Sequence, residues 1–329
     1  MKTLYAIQGT GNGHLSRARD IIPILKKKQL DLDILVSGTQ ADIQIPHPIK
    51  FQLKGWSFIF GKKGGVDVWR TFQKTNSARL QKEIKSIPVS DYDLIINDFE
   101  PVSAWASKLK QKQCVALSHQ SAVLSPNAPM PKKPDPFGKM ILQNYAPSTK
   151  RFGLHFKSYE ENIFTPIIRE EIRNVLTKEG GHYTVYLPSY SDKKIINILS
   201  KVKGINWEIF SKHNHSEYVS KNIRIQPINN EGFVQSMATS CGILCGAGFE
   251  TPAEALYMKK KLLVIPMKGQ FEQQCNGAAL QEMGVPLIKS LKIKHIDQLK
   301  SWVEDNSRVE VDYPNITESI IDQILQESI

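Results

Sequence analysis

Long apolar runs are missing from this 329-residue chain. The opening Met1-Lys2-Thr3-Leu4-Tyr5-Ala6-Ile7 meets a glycine-rich turn before it attains the length of a signal peptide or a membrane span, and no span follows. Cysteine is sparse as well: Cys114, Cys241, Cys245 and Cys275 form no C-x-x-C pair, which removes zinc ribbons and dithiol redox motifs. Cys241 and Cys245 fall on one expected strand, where four steps of about 3.3 Å hold them too far apart to bridge. Reduced thiols and a cytoplasmic setting are the expectation. Neither a short-period repeat nor a low-complexity tract is present.

Acidic residues are scarce in one half only. The formal charge is +11, yet residues 1–157 hold 24 Lys and Arg against 11 Asp and Glu, while residues 158–329 hold 19 against 21. Such a field draws an anionic partner: a phosphorylated acceptor, a membrane surface with acidic lipids, or nucleic acid. No nucleic-acid-binding module accompanies the charge, so nucleic acid is not expected as a partner. A solvated lysine-rich surface is the alternative.

What is present is a repeating alternation. A chain of this length with 41% apolar and 23% charged residues predicts two globular domains. An apolar run at 4–7 precedes the turn at 8–13, after which Leu15, Ala18, Ile21, Ile22 and Leu25 recur at helical spacing. Strands follow at 32–36, 51–53, 94–97 and 114–117, with helices at 78–87 and 102–109. Prolines from Pro126 to Pro136 make 123–137 a loop. After Gly180-Gly181 a second series places strands at 183–187, 207–210, 223–226, 242–245 and 262–265. Its helices fall at 194–201, 231–238, 251–258, 272–282, 296–303 and 316–325. The fold class is α/β, two Rossmann-like doubly wound parallel-sheet domains facing a cleft, over 1–157 and 158–329. The last helix is placed to pack back on the first domain.

The first turn, Gly9-Thr10-Gly11-Asn12-Gly13, follows a strand and opens a helix, where free N–H groups bind anions. A nicotinamide enzyme would carry an acid at the end of the second strand to hold the ribose, and Val36-Ser37-Gly38-Thr39 offers none. His14 stands where an imidazole can serve as general base near neutral pH, with a turn-capping histidine as the alternative. Asp98 ends the strand before it at the ligand edge, so the two should face one crevice as a dyad. Its competing role is N-cap of the helix that begins near Pro101. His119 and Gln120, after the strand at 114–117, are expected to line an acceptor pocket. His213 and His215 lack a third ligand nearby and read as a solvated loop, so no metal site is expected. Lys26–Lys28 and Lys259–Lys261 close helices, where cations suit the dipole.

The most specific stretch is Cys245-Gly246-Ala247-Gly248-Phe249-Glu250-Thr251-Pro252-Ala253-Glu254, followed by the apolar strand that ends in Pro266 and by Gln270-Phe271-Glu272-Gln273-Gln274-Cys275-Asn276. In order and spacing it resembles the GT-B glycosyltransferases, above all the bacterial branch that contains the lipid-II N-acetylglucosaminyltransferase, and more distantly the plant UDP-glycosyltransferases. The resemblance implies an inverting, metal-independent transfer of a sugar from a nucleotide diphospho-sugar, UDP-linked, to a hydroxyl acceptor, without a cofactor. By it Gly246, Ala247, Gly248, Phe249, Glu250 and Thr251 take the diphosphate at a helix N-terminus, and Glu254 takes the ribose hydroxyls. Glu272 and Gln273 take the sugar, with Asn276 beside them, and Phe233 with Val234 presents its backbone to the base edge, an ordinary packing role for Phe233 being the alternative. His14 becomes the base for the acceptor hydroxyl, and Asp98, which matches the plant branch rather than the bacterial one, orients it. The leaving diphosphate is then held by a helix N-terminus rather than by a D-x-D metal motif.

Two other readings share these residues. Gly13-His14-Leu15-Ser16-Arg17 is similar to the G-H-x-x-R of a UDP-sugar hydrolase of the pseudaminic acid pathway, so a hydrolase or an epimerase on the same fold stays open. A non-catalytic nucleotide-sugar-binding protein would need the Glu272-Gln273 pair but not His14. Finally, residues 54–65 set Trp56, Phe58, Ile59 and Phe60 among Lys54, Lys62 and Lys63, and residues 123–139 set apolar groups around Lys132 and Lys133. Aromatic groups among lysines suit an anionic membrane surface, which predicts a peripheral enzyme with a lipid-linked acceptor. Lids over a soluble acceptor are the alternative.

Overall fold

A computed structural model of the chain describes residues 1–38, 45–56, 77–133 and 135–328. Phe58, Ile59, Phe60, Lys62 and Lys63 lie outside the described residues. The first sheet comprises β1 (Lys2–Gln8), β2 (Asp31–Ser37), β3 (Phe51–Leu53), β4 (Leu94–Asp98), β5 (Val115–Ser118), β6 (Lys150–Leu154) and β7 (Ile163–Phe164). All pair in parallel, in the order β3-β2-β1-β4-β5-β6-β7. The second comprises β8 (His182–Tyr186), β9 (Asn206–Ser211), β10 (Tyr218–Ser220), β11 (Ile223–Pro227), β12 (Gly242–Gly246) and β13 (Lys261–Ile265). Its order is β10-β11-β9-β8-β12-β13, with only β10 antiparallel. The first sheet thus continues past residue 157 to Phe164.

These strands form because their residues are apolar on both faces, as parallel strands covered by helices must be. Leu4, Tyr5, Ala6 and Ile7 of β1 and Ile243, Leu244 and Cys245 of β12 are fully buried. Strand order reverses between β1 and β4 in one sheet and between β8 and β12 in the other, opening a crevice at the carboxyl ends of each pair. The two glycine turns leave from those ends, after β1 and after β12. One apolar core runs through both halves, joining Tyr5, Ile21 and Phe152 to Ala247, Phe249 and Ile320. The last helix, Thr317–Gln326, buries Ile320, Ile321 and Ile324 and sets Glu318 and Asp322 3.1 and 2.6 Å from Lys28 at the end of the helix Asn12–Lys27.

Several elements carry little sequence signal. β6 opens on Lys150-Arg151 and contains Gly153, a poor strand composition that its place between β5 and β7 overrides. The helix Pro136–Tyr145 starts inside the expected loop, where Asp135 caps it by accepting from the Gly138 amide at 2.9 Å. His213 and His215 stand exposed in a loop, as expected. Lys260 departs from expectation. Its ammonium is drawn inward and donates to the carbonyls of Lys178, Ala238 and Ser240 at 2.7–2.9 Å, closing a neighbouring helix instead of its own.

Candidate active site

The turn after β1 brings the chain into the helix Asn12–Lys27 through Gly11, whose φ of 97° only glycine adopts freely. The N-cap residue, Gly11, has no side chain with which to cap this helix, whose N-terminus faces the crevice, the kind of place where anions bind. Ile7 is in register with Asp98, which puts the ends of β1 and β4 side by side and His14, in the first helical turn, over Asp98. His14 Nδ1 lies 2.8 Å from Asp98 Oδ1. A carboxylate only accepts, so Nδ1 carries a proton, and in the neutral ring Nε2 keeps its lone pair. That nitrogen has no hydrogen-bond partner among the described residues. The competing role for Asp98 is filled by Glu100, which caps the helix Pro101–Leu109 by accepting from the amides of Val102 and Ser103 at 2.7 and 2.6 Å.

Arg17, one helical turn beyond His14, carries as much of the geometry. It is fully buried, and one of its terminal nitrogens donates to both oxygens of Asp98 at 2.8 Å. The other donates to Glu250 on the opposite half. Burial alone would raise the Asp98 carboxyl, but Arg17 and His14 overcome it and hold it below the usual carboxylate range. For Glu250 the balance falls the other way: burial, opposed by Arg17 and reinforced by Glu254, pushes its carboxyl up to about 7. Along the chain Arg17 stands out only as the last residue of Gly13-His14-Leu15-Ser16-Arg17, because nothing local says that an arginine will turn inward.

On the other side of the cleft, β12 leads through Gly246, Ala247 and Gly248 into the helix Glu250–Tyr257, again without a side-chain cap. A side chain on Gly248 would meet nothing within 4 Å, so the backbone there is open to the cleft. Glu254 is 3% exposed and accepts both arms of Arg169, from Nε at 2.6 Å and from the terminal nitrogen at 3.0 Å. Phe233 reaches the cleft beside Phe210 and Tyr186, whereas its neighbour Val234 is buried in the core. Glu272 and Gln273 open the helix Phe271–Glu282 and line the cleft, where Gln273 accepts from the Met267 amide at 2.9 Å.

The two halves meet at His119, Gln120 and Asn276. His119 donates from Nδ1 to the Leu154 carbonyl at 2.7 Å, stacks on Phe249 with centroids 3.9 Å apart, and sets Nε2 2.7 Å from Asn276 Oδ1. Burial pushes its imidazole below the ordinary range, against Glu272. Asn276 is fully enclosed and donates to the Ala247 carbonyl at 3.1 Å, so it faces the seam between the halves and not the cleft. Gln120 donates to Glu272 at 3.0 Å.

Two cavities share this seam. The larger, about 670 Å³, runs between the glycine turns and reaches Glu254, Arg169 and Phe233. The smaller, about 140 Å³, lies against Phe99, Phe137, Ile141, Leu142 and Phe271. Thr10, His14, Gln120, Gln270 and Glu272 line both. Trp56 does not belong to an exposed aromatic patch: it packs on Tyr145 with ring centroids 5.5 Å apart, in a cluster with Phe99 and Leu142. Two triplets, Asp31-Leu32-Asp33 and Asp91-Tyr92-Asp93, do spell D-x-D. They stand at or just before the amino ends of β2 and β4, the sheet edge opposite the cleft, and Asp33 and Asp93 are engaged by Lys50 and the Lys2 amide. Among the described residues no three metal-ligating side chains cluster, and no helix is long and apolar enough to cross a membrane.

Residues 1–305 match the model of the glycosyl transferase family 1. No curated protein sequence matches the chain. Among solved structures it resembles the glycotransferase of kitacinnamycin, with a TM-score of 0.60 at 10% identity over 99% of this chain and 94% of the other. It also resembles Arabidopsis thaliana UGT89C1 complexed with UDP, with a TM-score of 0.59 at 11% identity over 99% and 94%. The same plant protein is known complexed with quercetin. Acinetobacter baumannii MurG gives a TM-score of 0.57 at 13% identity over 99% and 100%. At such identities the likeness concerns the fold, which is that of the GT-B glycosyltransferases.

Proposed function

The chain belongs to the glycosyl transferase family 1 and is a glycosyltransferase, and from that premise we propose that it moves a sugar from a UDP-linked donor to the hydroxyl of an apolar acceptor, with inversion and without a metal. The observation that carries this reading is the free Nε2 of His14 where the two cavities meet. A donor in the larger cavity would rest its diphosphate on the open N–H groups before the helix Glu250–Tyr257 and its ribose on Glu254. An acceptor in the smaller one would lie against Phe99, Ile141 and Phe271. UDP and quercetin, which accompany the plant neighbour, are of the two kinds required.

In the proposed step the acceptor O–H gives its proton to His14 Nε2 while its oxygen attacks the anomeric carbon opposite the diphosphate. The bond from that carbon to the diphosphate breaks, and its electron pair leaves with the nucleotide. Asp98 stabilises the imidazolium that forms, and the helix N-terminus stabilises the departing charge in place of a cation. Water in the acceptor's place would make the same residues a hydrolase, but a hydrolase has no need of the apolar pocket beside His14. The donor half is tested by thermal unfolding with UDP-, GDP- and dTDP-sugars. A cognate donor at a hundredfold excess over its dissociation constant should stabilise the protein by about 2.7 kcal/mol, and the UDP-sugars should lead. Equal, negligible shifts with all three would remove the donor assignment.

A second reading places the acceptor on a membrane, and Phe137 and Met140 favour it. They are 54% and 49% exposed on the helix Pro136–Tyr145, which follows the exposed Lys132 and Lys133 and lines the mouth of the apolar pocket through Phe137 and Ile141. Co-sedimentation with anionic vesicles should weaken with salt and with Phe137→Ser/Met140→Ser. No binding at low salt would leave an acceptor free in solution.

A further inference from the structure

We propose that Arg17 is the positioning residue of the His14–Asp98 dyad and that Glu250 anchors it from the opposite half, so that the dyad is fully set only while the two halves are docked. The inference rests on reading His14 as the general base. It starts from the isolation of Asp98, which is completely buried. Among the described residues its oxygens receive three contacts, one from His14 Nδ1 to Oδ1 and two from a single terminal nitrogen of Arg17, one to each oxygen at 2.8 Å. Arg17 against both oxygens and His14 against Oδ1 together hold the carboxylate with Oδ1 facing His14. A carboxylate sealed from water with a histidine as its only partner would tend to take up a proton and cease to accept. The guanidinium keeps it an anion and therefore an acceptor for Nδ1–H.

Arg17 in turn is not held by its own half alone. Its second terminal nitrogen crosses the cleft to Glu250, the first residue of the helix that follows the donor-side glycine turn. The approach is close: a side chain on Gly13 would come within 3.0 Å of the Glu250 side chain, so the glycine leaves the two halves in direct contact beside the dyad. Parting the halves would take away Glu250, free the guanidinium to turn, and loosen its hold on Asp98. The base would then be set chiefly in the closed arrangement, when water is excluded from the cleft.

The readout needs no substrate. In protein labelled with ¹⁵N-histidine, the hydrogen-bonded Nδ1 proton of His14 should give a low-field resonance, identified by its loss in His14→Ala. Arg17→Lys keeps the charge but not the fork, and is expected to abolish that resonance or move it upfield at unchanged melting temperature and circular dichroism. Glu250→Ala, which removes the anchor but none of the groups that touch Asp98, should shift it in the same direction by less, and it carries the test alone if Arg17→Lys does not fold. A wild-type resonance position in the folded variants would overturn the positioning role. If the wild type has no low-field resonance that depends on His14, the dyad fails first and this inference falls with it.

Discussion

Replacing His14 with alanine is expected to lower sugar transfer by about 10²–10⁴-fold, the range for loss of a general base, with UDP affinity changed only a few fold. The fold should survive. Asp98 keeps both contacts from Arg17, so no buried charge is left alone, and the His14 side chain is already 14% exposed at the edge of the cleft. Donor binding should survive too, because the residues expected to hold the nucleotide belong to the opposite half. Initial rates alongside calorimetry with UDP separate the two effects. Near wild-type transfer in the variant would assign the base to another group and dissolve the dyad with Asp98.

Glu254→Gln should weaken UDP about ten- to a hundredfold, from the loss of charge-assisted hydrogen bonds worth roughly 1.5–3 kcal/mol. Glutamine is preferable to alanine here. Arg169 donates to both Glu254 oxygens, and truncation would leave a buried guanidinium short of acceptors, so a fall in affinity could then be a fall in stability. Glutamine retains one acceptor for Arg169 while removing the carboxylate charge from the ribose position. Unchanged UDP affinity by calorimetry in a folded Glu254→Gln protein would end the ribose assignment and leave Glu254 as the structural partner of Arg169.

Much of this site is legible along the chain because its framework is local. Each glycine turn follows a strand and precedes a helix within a dozen residues, and strand ends in a parallel sheet share one edge. That is why His14 and Asp98, far apart in sequence, could be placed on one crevice from pattern alone. The helix Pro136–Tyr145 was not legible in the same way, since its first turn reads as the end of a proline loop until Asp135 is seen to cap it. β6 was hidden by the two cations and the glycine that its buried neighbours tolerate.

Hydrophobic period and turn chemistry act between near neighbours, and they are enough to specify the two α/β halves, the cleft edge and the residue types that line it. Which partners those residues meet depends on long-range packing. It turned Arg17 inward to join Asp98 with Glu250, enclosed Asn276 against His119, bound Glu254 to Arg169 and drew Trp56 onto Tyr145. Each of these contacts spans many residues of chain. Burial makes them obligatory, since a charge or amide shut away from water must find its partner wherever the fold supplies one, and no local pattern encodes where that is.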